Sequence, residues 1–240
     1  MLHPAKQIHE KREKPILKHN FLFTKPVEMP RGSHYGSDYW VTYSYKLCRR
    51  VRLYSYLEYA QFISLEMNPL VEYYCEQPLE ISGTFNGKNK KSVFDFWVQY
   101  KNNNSEFQEV KYMSELKGND KRAVRSKEQT EFQKQWCDEN NYKYAIITDE
   151  DIFKSRHYIG NLQLLRSHLI RSGFINKKDC EVLCKELKFA NLKLGEISNL
   201  DLISEDILMS TLAKLFYDGI IIIDTISRPL DKSTEVRLCV

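Results

Sequence analysis

The sequence predicts an α/β fold, in which a mixed sheet flanked by helices is followed by a mainly helical domain. Two observations support the sheet: apolar residues alternate with a period of two between residues 71 and 112, and Asn86-Gly87 interrupts them. This dipeptide is a strong hairpin signal, because both central residues of such a turn need positive φ. A series of helical patterns after Asp149 supports the second domain. We expect an irregular basic arm over residues 1–40, one domain over 41–152 and another over 153–240.

The first domain begins with a predicted helix over residues 51–67, which stops at Asn68-Pro69. On a helical wheel, Glu58 shares a narrow sector with Phe62 and Leu65, so its carboxylate is predicted to point inward. The alternating stretches then predict strands and the longer apolar pattern predicts a helix. The predicted strands are 71–74, 79–85, 91–100, 106–112 and 144–147, with a turn at 101–105 and a helix at 126–140.

The second domain is predicted to contain four helices and a terminal hairpin. The helices are expected at 159–172, 177–187, 193–199 and 204–218, and the hairpin strands at 220–226 and 234–239. Leu194-Gly195-Glu196-Ile197 is similar to the entry of a helix-turn-helix. Helices followed by a hairpin predict a winged-helix-like C-terminal domain.

Charge and cysteine usage narrow the class of protein. The net charge of +4 permits nucleic-acid binding without requiring it. Basic residues cluster over 3–25 and 111–127, and each cluster fits a solvated surface as well as a DNA contact. The six cysteines lack CxxC spacing, which favours free thiols over a zinc site. The longest aliphatic run is Ile220–Ile223, so neither a signal peptide nor a membrane span is predicted, and we expect a cytoplasmic protein.

Acidic and basic residues at alternate strand positions predict a reactive site. Asp95 lies on the predicted strand 91–100, and Glu109 and Lys111 share one face of the next strand. Pairing of these strands would bring the three side chains together. Two carboxylates with a backbone carbonyl such as that of Val110 suit Mg²⁺ or Mn²⁺, and Glu58 could complete the metal shell. Lys111 could help to deprotonate a water or stabilise negative charge on a phosphate.

A cross-strand salt bridge on a solvated face is the alternative interpretation of these residues. Glu-x-Lys alone is not specific, since Glu115-x-Lys117 and Glu186-x-Lys188 repeat it. Apolar neighbours on both faces of the two strands favour a covered site instead. These neighbours are Phe94, Phe96, Trp97, Phe107 and Val110.

The element order, with an acid followed by Glu-x-Lys on the next strand, resembles the PD-(D/E)xK nuclease superfamily and its restriction-endonuclease-like sheet. Several segments are similar to a narrower family, TnsA, the endonuclease subunit of heteromeric transposases. They are Ser55-Tyr-Leu-Glu58, Phe62-Ile-Ser-Leu-Glu66, Val71, Cys75-Glu-Gln-Pro78, Phe94-Asp95-Phe96, Gln108-Glu-Val-Lys111 and Ile146-Ile-Thr-Asp149. The similarity covers about residues 43–151 and continues more weakly beyond them.

The resemblance implies that Glu58, Asp95 and Glu109 bind Mg²⁺, with Mn²⁺ as a substitute, and that Lys111 assists the water. Some members of the family carry Gln at the position of Glu109, and glutamate there favours activity. The protein would cut the 5′ strand at transposon ends. A TnsB-like DDE transposase would cut and join the 3′ strand, and a TnsC-like ATPase would recruit both. Such a protein would be a cytoplasmic bacterial protein, associated with the nucleoid during transposition.

Two further expectations concern residues near this site. We assign five basic residues to phosphate contacts: Lys117, Lys121, Arg122, Arg125 and Lys127. Glu66 lies on the same helix as Glu58 but about 80° away at 100° per residue, and is expected to be dispensable for cleavage. Two other functions stay open: a stand-alone PD-(D/E)xK restriction or repair nuclease, and a non-catalytic DNA-binding adaptor with a nuclease-like core.

Overall fold

The computed structural model describes residues 21–29, 38–171 and 175–239. The first elements are an antiparallel hairpin of β1 (Trp40–Ser44) and β2 (Arg49–Leu53), followed by α1 (Tyr56–Met67). The predicted helix over 51–67 is therefore wrong in its first turn, where residues 51–53 are strand. Ser55 is extended, and its Oγ accepts a hydrogen bond from Glu58 N at 3.0 Å. This N-cap starts the helix after Ser55.

After α1 come five strands, two helices, a sixth strand and a short helix. In chain order these are β3 (Val71–Glu76), β4 (Glu80–Phe85), β5 (Lys88–Val93), β6 (Phe96–Tyr100), β7 (Ser105–Lys111), α2 (Met113–Lys117), α3 (Lys121–Glu139), β8 (Tyr144–Thr148) and α4 (Asp149–Ile152). The main sheet has the order β3-β6-β7-β8, with β7 and β8 parallel and the other pairs antiparallel. It is thus a mixed sheet, and β4 and β5 form a separate two-stranded sheet.

The predicted strand over 91–100 is two strands in the structure, and these belong to different sheets. The chain leaves the β4–β5 sheet after Val93 and enters the main sheet at Phe96. At the break, Phe94 N donates to Leu79 O at 3.2 Å, and Gln77 N donates to the carbonyl of Asp95 at 2.9 Å. Asp95 therefore lies between two strands rather than within one. The hairpin turn predicted at Asn86-Gly87 is confirmed, since both residues have positive φ, 49° and 72°.

The main sheet is covered on both faces. On one face, Phe96 and Tyr74 reach Phe62 of α1 through ring contacts. On the other, Phe107 contacts Trp136 of α3. Helix α3 begins at Lys121, before the predicted start at residue 126, because Asp120 caps it with a hydrogen bond from Ala123 N.

Part of the predicted irregular arm lies on this core. Phe21 stacks on Tyr73 with ring centroids 4.1 Å apart, and Phe23 contacts Phe107 on the α3 side of the sheet. Val27 N donates to Gln77 O at 2.8 Å. Residues 1–20 and 30–37, which contain the other basic residues of the arm, are outside the described residues.

The C-terminal part contains four longer helices and a three-stranded antiparallel sheet. In chain order these are α5 (Tyr158–Arg171), α6 (Lys177–Leu187), β9 (Leu192–Lys193), α7 (Leu194–Asn199), α8 (Glu205–Tyr217), β10 (Ile221–Ile223) and β11 (Glu235–Leu238). The sheet order is β10-β11-β9. The predicted helices and terminal hairpin are present, with ends within a few residues. Helix α5 packs against both α1 and α8, so it joins the two parts of the molecule.

Two expectations about the whole chain can be compared with the structure. All six cysteines lie within the described ranges and are free thiols. Across residues 21–29, 38–171 and 175–239, no helix combines the length and the apolar character that crossing a membrane requires.

Candidate active site

Asp95 is held at the break between β5 and β6 by the backbone of β7. Its Oδ2 accepts a hydrogen bond from Val110 N at 2.7 Å. Burial raises the pKa of this carboxyl well above its ordinary value, and the negative charges of Glu109 and Glu58 raise it further. Lys111 and the Val110 N–H oppose the shift. The strand break therefore brings Asp95 beside the acidic residues that the sequence predicted as its neighbours.

Glu109 of β7 is the most buried acid of this group, with 1% of its surface exposed. Its Oε1 accepts hydrogen bonds from Lys111 Nζ at 2.6 Å and from Gln129 Nε2 at 2.8 Å. Its Oε2 accepts one from Gln133 Nε2 at 2.8 Å. Three donors thus compensate the desolvation of one carboxylate, as a buried charge requires.

Lys111 provides the positive charge of the site, and its side chain is 14% exposed. Burial disfavours the ammonium, but the charges of Glu109 and Asp95 outweigh that effect and raise its pKa. The Glu109–Lys111 pair is therefore a real ion pair, but it is buried. The alternative of a salt bridge on a solvated face does not describe it.

Glu58 approaches the same group from the first turn of α1 and is 9% exposed. Its Oε2 accepts hydrogen bonds from Tyr54 N at 3.0 Å and Gln77 Nε2 at 3.3 Å. Burial raises the pKa of Glu58, and the charge of Glu109 raises it further. The hydrogen bond from Tyr54 N opposes this shift without cancelling it. The predicted inward direction of Glu58 is confirmed, and its charge interacts with those of Asp95 and Glu109.

An open cleft of about 490 Å³ lies over Asp95, Glu109 and Lys111. The end of β5 forms one wall and the first half of α3 the other. Its wall residues are Met29, Glu80, Lys90, Lys91, Ser92, Val93, Arg125, Glu128, Gln129 and Phe132. Glu58 is not part of this lining and reaches the acidic group from the α1 side. The cleft therefore leaves the floor formed by these three residues open to solvent.

The five basic residues expected to contact phosphate are not equivalent in the structure. Of these five, Arg125 lines the cleft. Lys117 lies 4.0 Å from Glu150, Arg122 pairs with Glu115 at 2.5 Å, and Lys127 Nζ donates to Gly118 O at 2.8 Å. Lys121 is exposed in the first turn of α3. The structure thus places one of the five at the cleft and the other four outside its lining.

Two glutamines of α3 were not predicted as part of the site. Gln133 is fully buried, and its Nε2 donates to Ser92 Oγ at 2.9 Å as well as to Glu109. Tyr144 OH donates to Gln133 Oε1 at 2.8 Å, which fixes the amide so that its NH₂ group faces Glu109. Gln129 and Gln133 are four residues apart, one helical turn, and lie on the side of α3 that also carries Phe132. Polar residues on an otherwise apolar helix side were the available signal.

Glu66 lies apart from this group although it is on the same helix. It is fully buried and accepts hydrogen bonds from Ser44 Oγ at 2.7 Å and Tyr74 OH at 2.5 Å. The backbone N–H groups of Tyr45 and Lys46 also donate to it. These contacts explain its burial, because they anchor the β1–β2 hairpin to α1.

The chemistry of the donor set fits a hard divalent cation. Three carboxyl groups, those of Glu58, Asp95 and Glu109, are grouped with one ammonium, that of Lys111, so acids outnumber cations here. Oxygen donors of this kind are those that Mg²⁺ and Mn²⁺ prefer. Within the described part of the chain, no three His, Cys, Asp or Glu side chains are arranged as a metal-holding cluster. Each carboxylate instead accepts hydrogen bonds from protein donors.

The comparison with protein families agrees with this geometry. Residues 68–149 match the family model described as TnsA-like endonuclease N terminal, which is roughly a third of the chain. The match includes Asp95, Glu109 and Lys111, and it begins after Glu58. The search of curated proteins found no match. Residues 68–149 are therefore similar to the TnsA-like endonuclease N-terminal domain, and this match supports an assignment to the TnsA family.

Proposed function

We propose that this protein is the Mg²⁺-dependent endonuclease subunit of a heteromeric transposase, and that it hydrolyses the 5′ strand at transposon ends. One observation carries the proposal: Asp95, Glu109 and Lys111 meet at the floor of an open cleft, inside the segment that matches the TnsA-like endonuclease domain. We further propose that it acts with a TnsB-like transposase and a TnsC-like ATPase. Its place of action would be the bacterial cytoplasm, at the nucleoid during transposition.

In this proposal Asp95 and Glu109 are the main ligands of Mg²⁺ or Mn²⁺, and Glu58 completes the set. Val110 would contribute its carbonyl. The Val110 N–H points to Asp95, and the N–H and C=O of one strand residue point to the same strand edge, which supports that assignment. A bound divalent cation would supply Lewis-acid stabilisation and make a water more acidic.

The other residues of the site act on the phosphate and on the ligands. The Lys111 ammonium would stabilise negative charge that builds on the phosphate, since it already stands beside Glu109 at the floor of the cleft. Gln129 and Gln133 would hold the Glu109 carboxylate in place. Arg125 would bind a phosphate at the α3 wall. We retain phosphate contact outside the cleft as the proposed role of Lys117, Lys121, Arg122 and Lys127.

The C-terminal part is proposed to be a winged-helix-like domain. Its element order from α6 to β11 and its sheet order β10-β11-β9 support this assignment. Helix α8, which corresponds to the groove-reading helix of that fold, packs against α5. Ser210 Oγ of α8 donates to His168 O of α5, and Glu205 and Asp206 occupy its first turn. A covered helix with an acidic start favours contact with a protein partner over reading of a DNA groove.

Strand-resolved cleavage of a plasmid that bears the element's own ends would test the proposal. The reaction would contain Mg²⁺ and the transposase encoded beside this gene, with wild type and Asp95→Ala compared. Asp138→Asn is the matched control, because Asp138 pairs with Lys134 on the exposed face of α3. We expect 5′-strand cuts with wild type and the control, and none with folded Asp95→Ala.

Other outcomes would favour the alternative functions. Cleavage by this chain without the transposase would indicate a stand-alone restriction or repair nuclease. A non-catalytic adaptor would be indicated if wild type did not cleave the DNA, or if Asp95→Ala left cleavage unchanged. Isothermal titration with Mn²⁺ would test the proposed metal ligands directly. Wild type and Asp138→Asn should bind the ion, and Asp95→Ala should bind it at least about tenfold more weakly.

A further inference from the structure

The β1–β2 hairpin has an outer face with two arginines. Its inner face packs on α1, where Trp40 stacks on Tyr59 with ring centroids 4.3 Å apart. Because side chains alternate along a strand, Arg50 and Arg52 point away from α1, and both are exposed. Their cross-strand neighbours are Tyr43 and Val41, which are 38% and 52% exposed. No other layer covers this face in the described part of the chain.

The two outer arginines have no acidic partner among the described residues, unlike the inner one. Arg49 points inward and pairs with the buried carboxylate of Glu76 at 2.5 Å. Arg50 and Arg52 form no ion pair with any residue in the described ranges. Two residues on one strand face are about 6.8 Å apart, at 3.4 Å per residue. Two long arginine side chains this close together can reach phosphates of the same DNA strand.

The outer face is continuous with the candidate active site. Arg52, Lys25 and Met29 line a second cleft of about 390 Å³. This cleft extends to Tyr54 and Gln77, the two residues that hold Glu58 through hydrogen bonds. Met29 also lines the cleft over Asp95 and Glu109, so the two clefts meet there. A long anionic ligand at the first cleft can therefore extend through the second cleft to the hairpin. Glu28 is the one acidic residue that lines the second cleft among the described residues.

We propose that the outer face of the β1–β2 hairpin is a second DNA-binding site, in which Arg50 and Arg52 bind backbone phosphates of the duplex beside the cleavage point. The inference rests on the proposed nuclease function, because continuity with that cleft identifies DNA as the ligand. Contacts of this type fix the position of a duplex without reading its sequence. They would hold the DNA on the Glu58 side of the site, opposite the wall that contains Arg125.

The test is duplex binding by the full chain at several KCl concentrations, with EDTA present so that the DNA stays intact. The probe is a fluorescent 30-base-pair duplex that contains one transposon end. The test variant is Arg50→Gln/Arg52→Gln. The control variant, Lys134→Gln/Lys143→Gln, also removes two exposed positive charges, but from the end of α3 and the start of β8. Circular dichroism and thermal unfolding confirm that each variant is folded.

We expect the arginine variant to raise Kd about tenfold and to reduce the slope of log K against log salt by about 2, since each phosphate contact contributes about 0.9. The control should keep the wild-type slope. Equal slopes and Kd values for the two double variants would overturn the inference, and so would a wild type that does not bind the duplex. Cleavage is measured separately in the plasmid assay, so loss of the proposed nuclease function would be seen independently of this result.

Discussion

Substitution of Gln133 tests whether the hydrogen bonds between α3 and Glu109 stabilise the candidate site. The perturbation is Gln133→Leu, which keeps a side chain of similar size but removes both polar ends. Gln133 is fully buried, so water cannot replace the lost partners. Its Nε2 donates to Glu109 Oε2 at 2.8 Å, and its Oε1 accepts from Tyr144 OH at 2.8 Å.

The expected loss follows from these two contacts. A hydrogen bond to a charged group contributes about 1.5–3 kcal/mol, and a buried hydroxyl without a partner costs about 1–3 kcal/mol. Burial of the leucine side chain offsets roughly 1–2 kcal/mol of this. The free energy of unfolding should therefore fall by about 2–4 kcal/mol. Gln129→Leu should cost about 1 kcal/mol, because Gln129 is only partly buried and Glu109 Oε1 keeps its bond from Lys111.

Urea denaturation followed by circular dichroism measures these differences. Gln135→Leu is the matched control on the same helix, since Gln135 Nε2 also donates to a carboxylate, that of Glu139, at 2.8 Å but on the exposed face. It should change the free energy of unfolding by less than about 0.5 kcal/mol. If Gln133→Leu were as stable as Gln135→Leu, the inferred network would contribute nothing, and Glu109 would need another explanation for its burial.

Four further predictions concern stability and activity. Gly219→Ala should lower the free energy of unfolding by about 1–3 kcal/mol, because Gly219 has φ +76° and an added Cβ would lie 2.9 Å from a ring carbon of Pro69. Gly160→Ala should raise the free energy of unfolding by about 0.5 kcal/mol, because an added Cβ would meet no atom within 4 Å. Urea denaturation of both variants decides this. Glu66→Gln should lower the free energy of unfolding by about 2–3 kcal/mol, because an amide NH₂ replaces one of the two oxygens that accept from four donors. Cleavage by the folded protein should be unchanged, because none of these donors belongs to the candidate active site. Loss of cleavage in that variant would place Glu66 in the site. Burial lowers the pKa of Lys46 from 10.5 to about 8, so the folded state binds this proton less tightly than the unfolded state. As the pH rises from 8 to 10.5, wild type should therefore gain stability relative to Lys46→Met. A constant difference across that range would contradict the prediction. In EDTA at pH 8, Asp95→Asn should raise the free energy of unfolding, since it removes an acid whose pKa burial raises in the folded state, while cleavage is lost. A less stable variant would show that Asp95 has a structural role.

The sequence predicted the order of the elements around the site better than their ends. The strand pattern identified β3, β4, β6, β7 and β8. It could not locate the break at Asp95, since residues 91–100 contain neither glycine nor proline. The break depends on distant backbone groups: Leu79 O accepts from Phe94 N, and Gln77 N donates to Asp95 O. A local pattern contains no information about such partners.

The same limit explains which parts of the site were predicted. The convergence of Asp95 with Glu109 and Lys111 followed from the strand pattern, and the inward direction of Glu58 followed from the helical wheel. The basic residues after Lys111 could not be ranked, because their acidic partners come from other elements. Glu115 of α2 pairs with Arg122, for example. Only the folded arrangement shows that Arg125 remains at the cleft.

The charge balance of the site argues against a purely structural role for its acids. Glu109 and Lys111 would satisfy each other as an isolated pair, with the two glutamines completing the hydrogen bonds. Asp95 and Glu58 add two more acids: burial and the charges of Glu109 and Glu58 raise the pKa of Asp95, and burial and the charge of Glu109 raise the pKa of Glu58. A fold gains no stability from like charges that it must desolvate. Perturbed acids in a cleft are instead typical of sites that bind a cation or catalyse a reaction. The excess of acids over cations in this group therefore supports the proposed metal-dependent function.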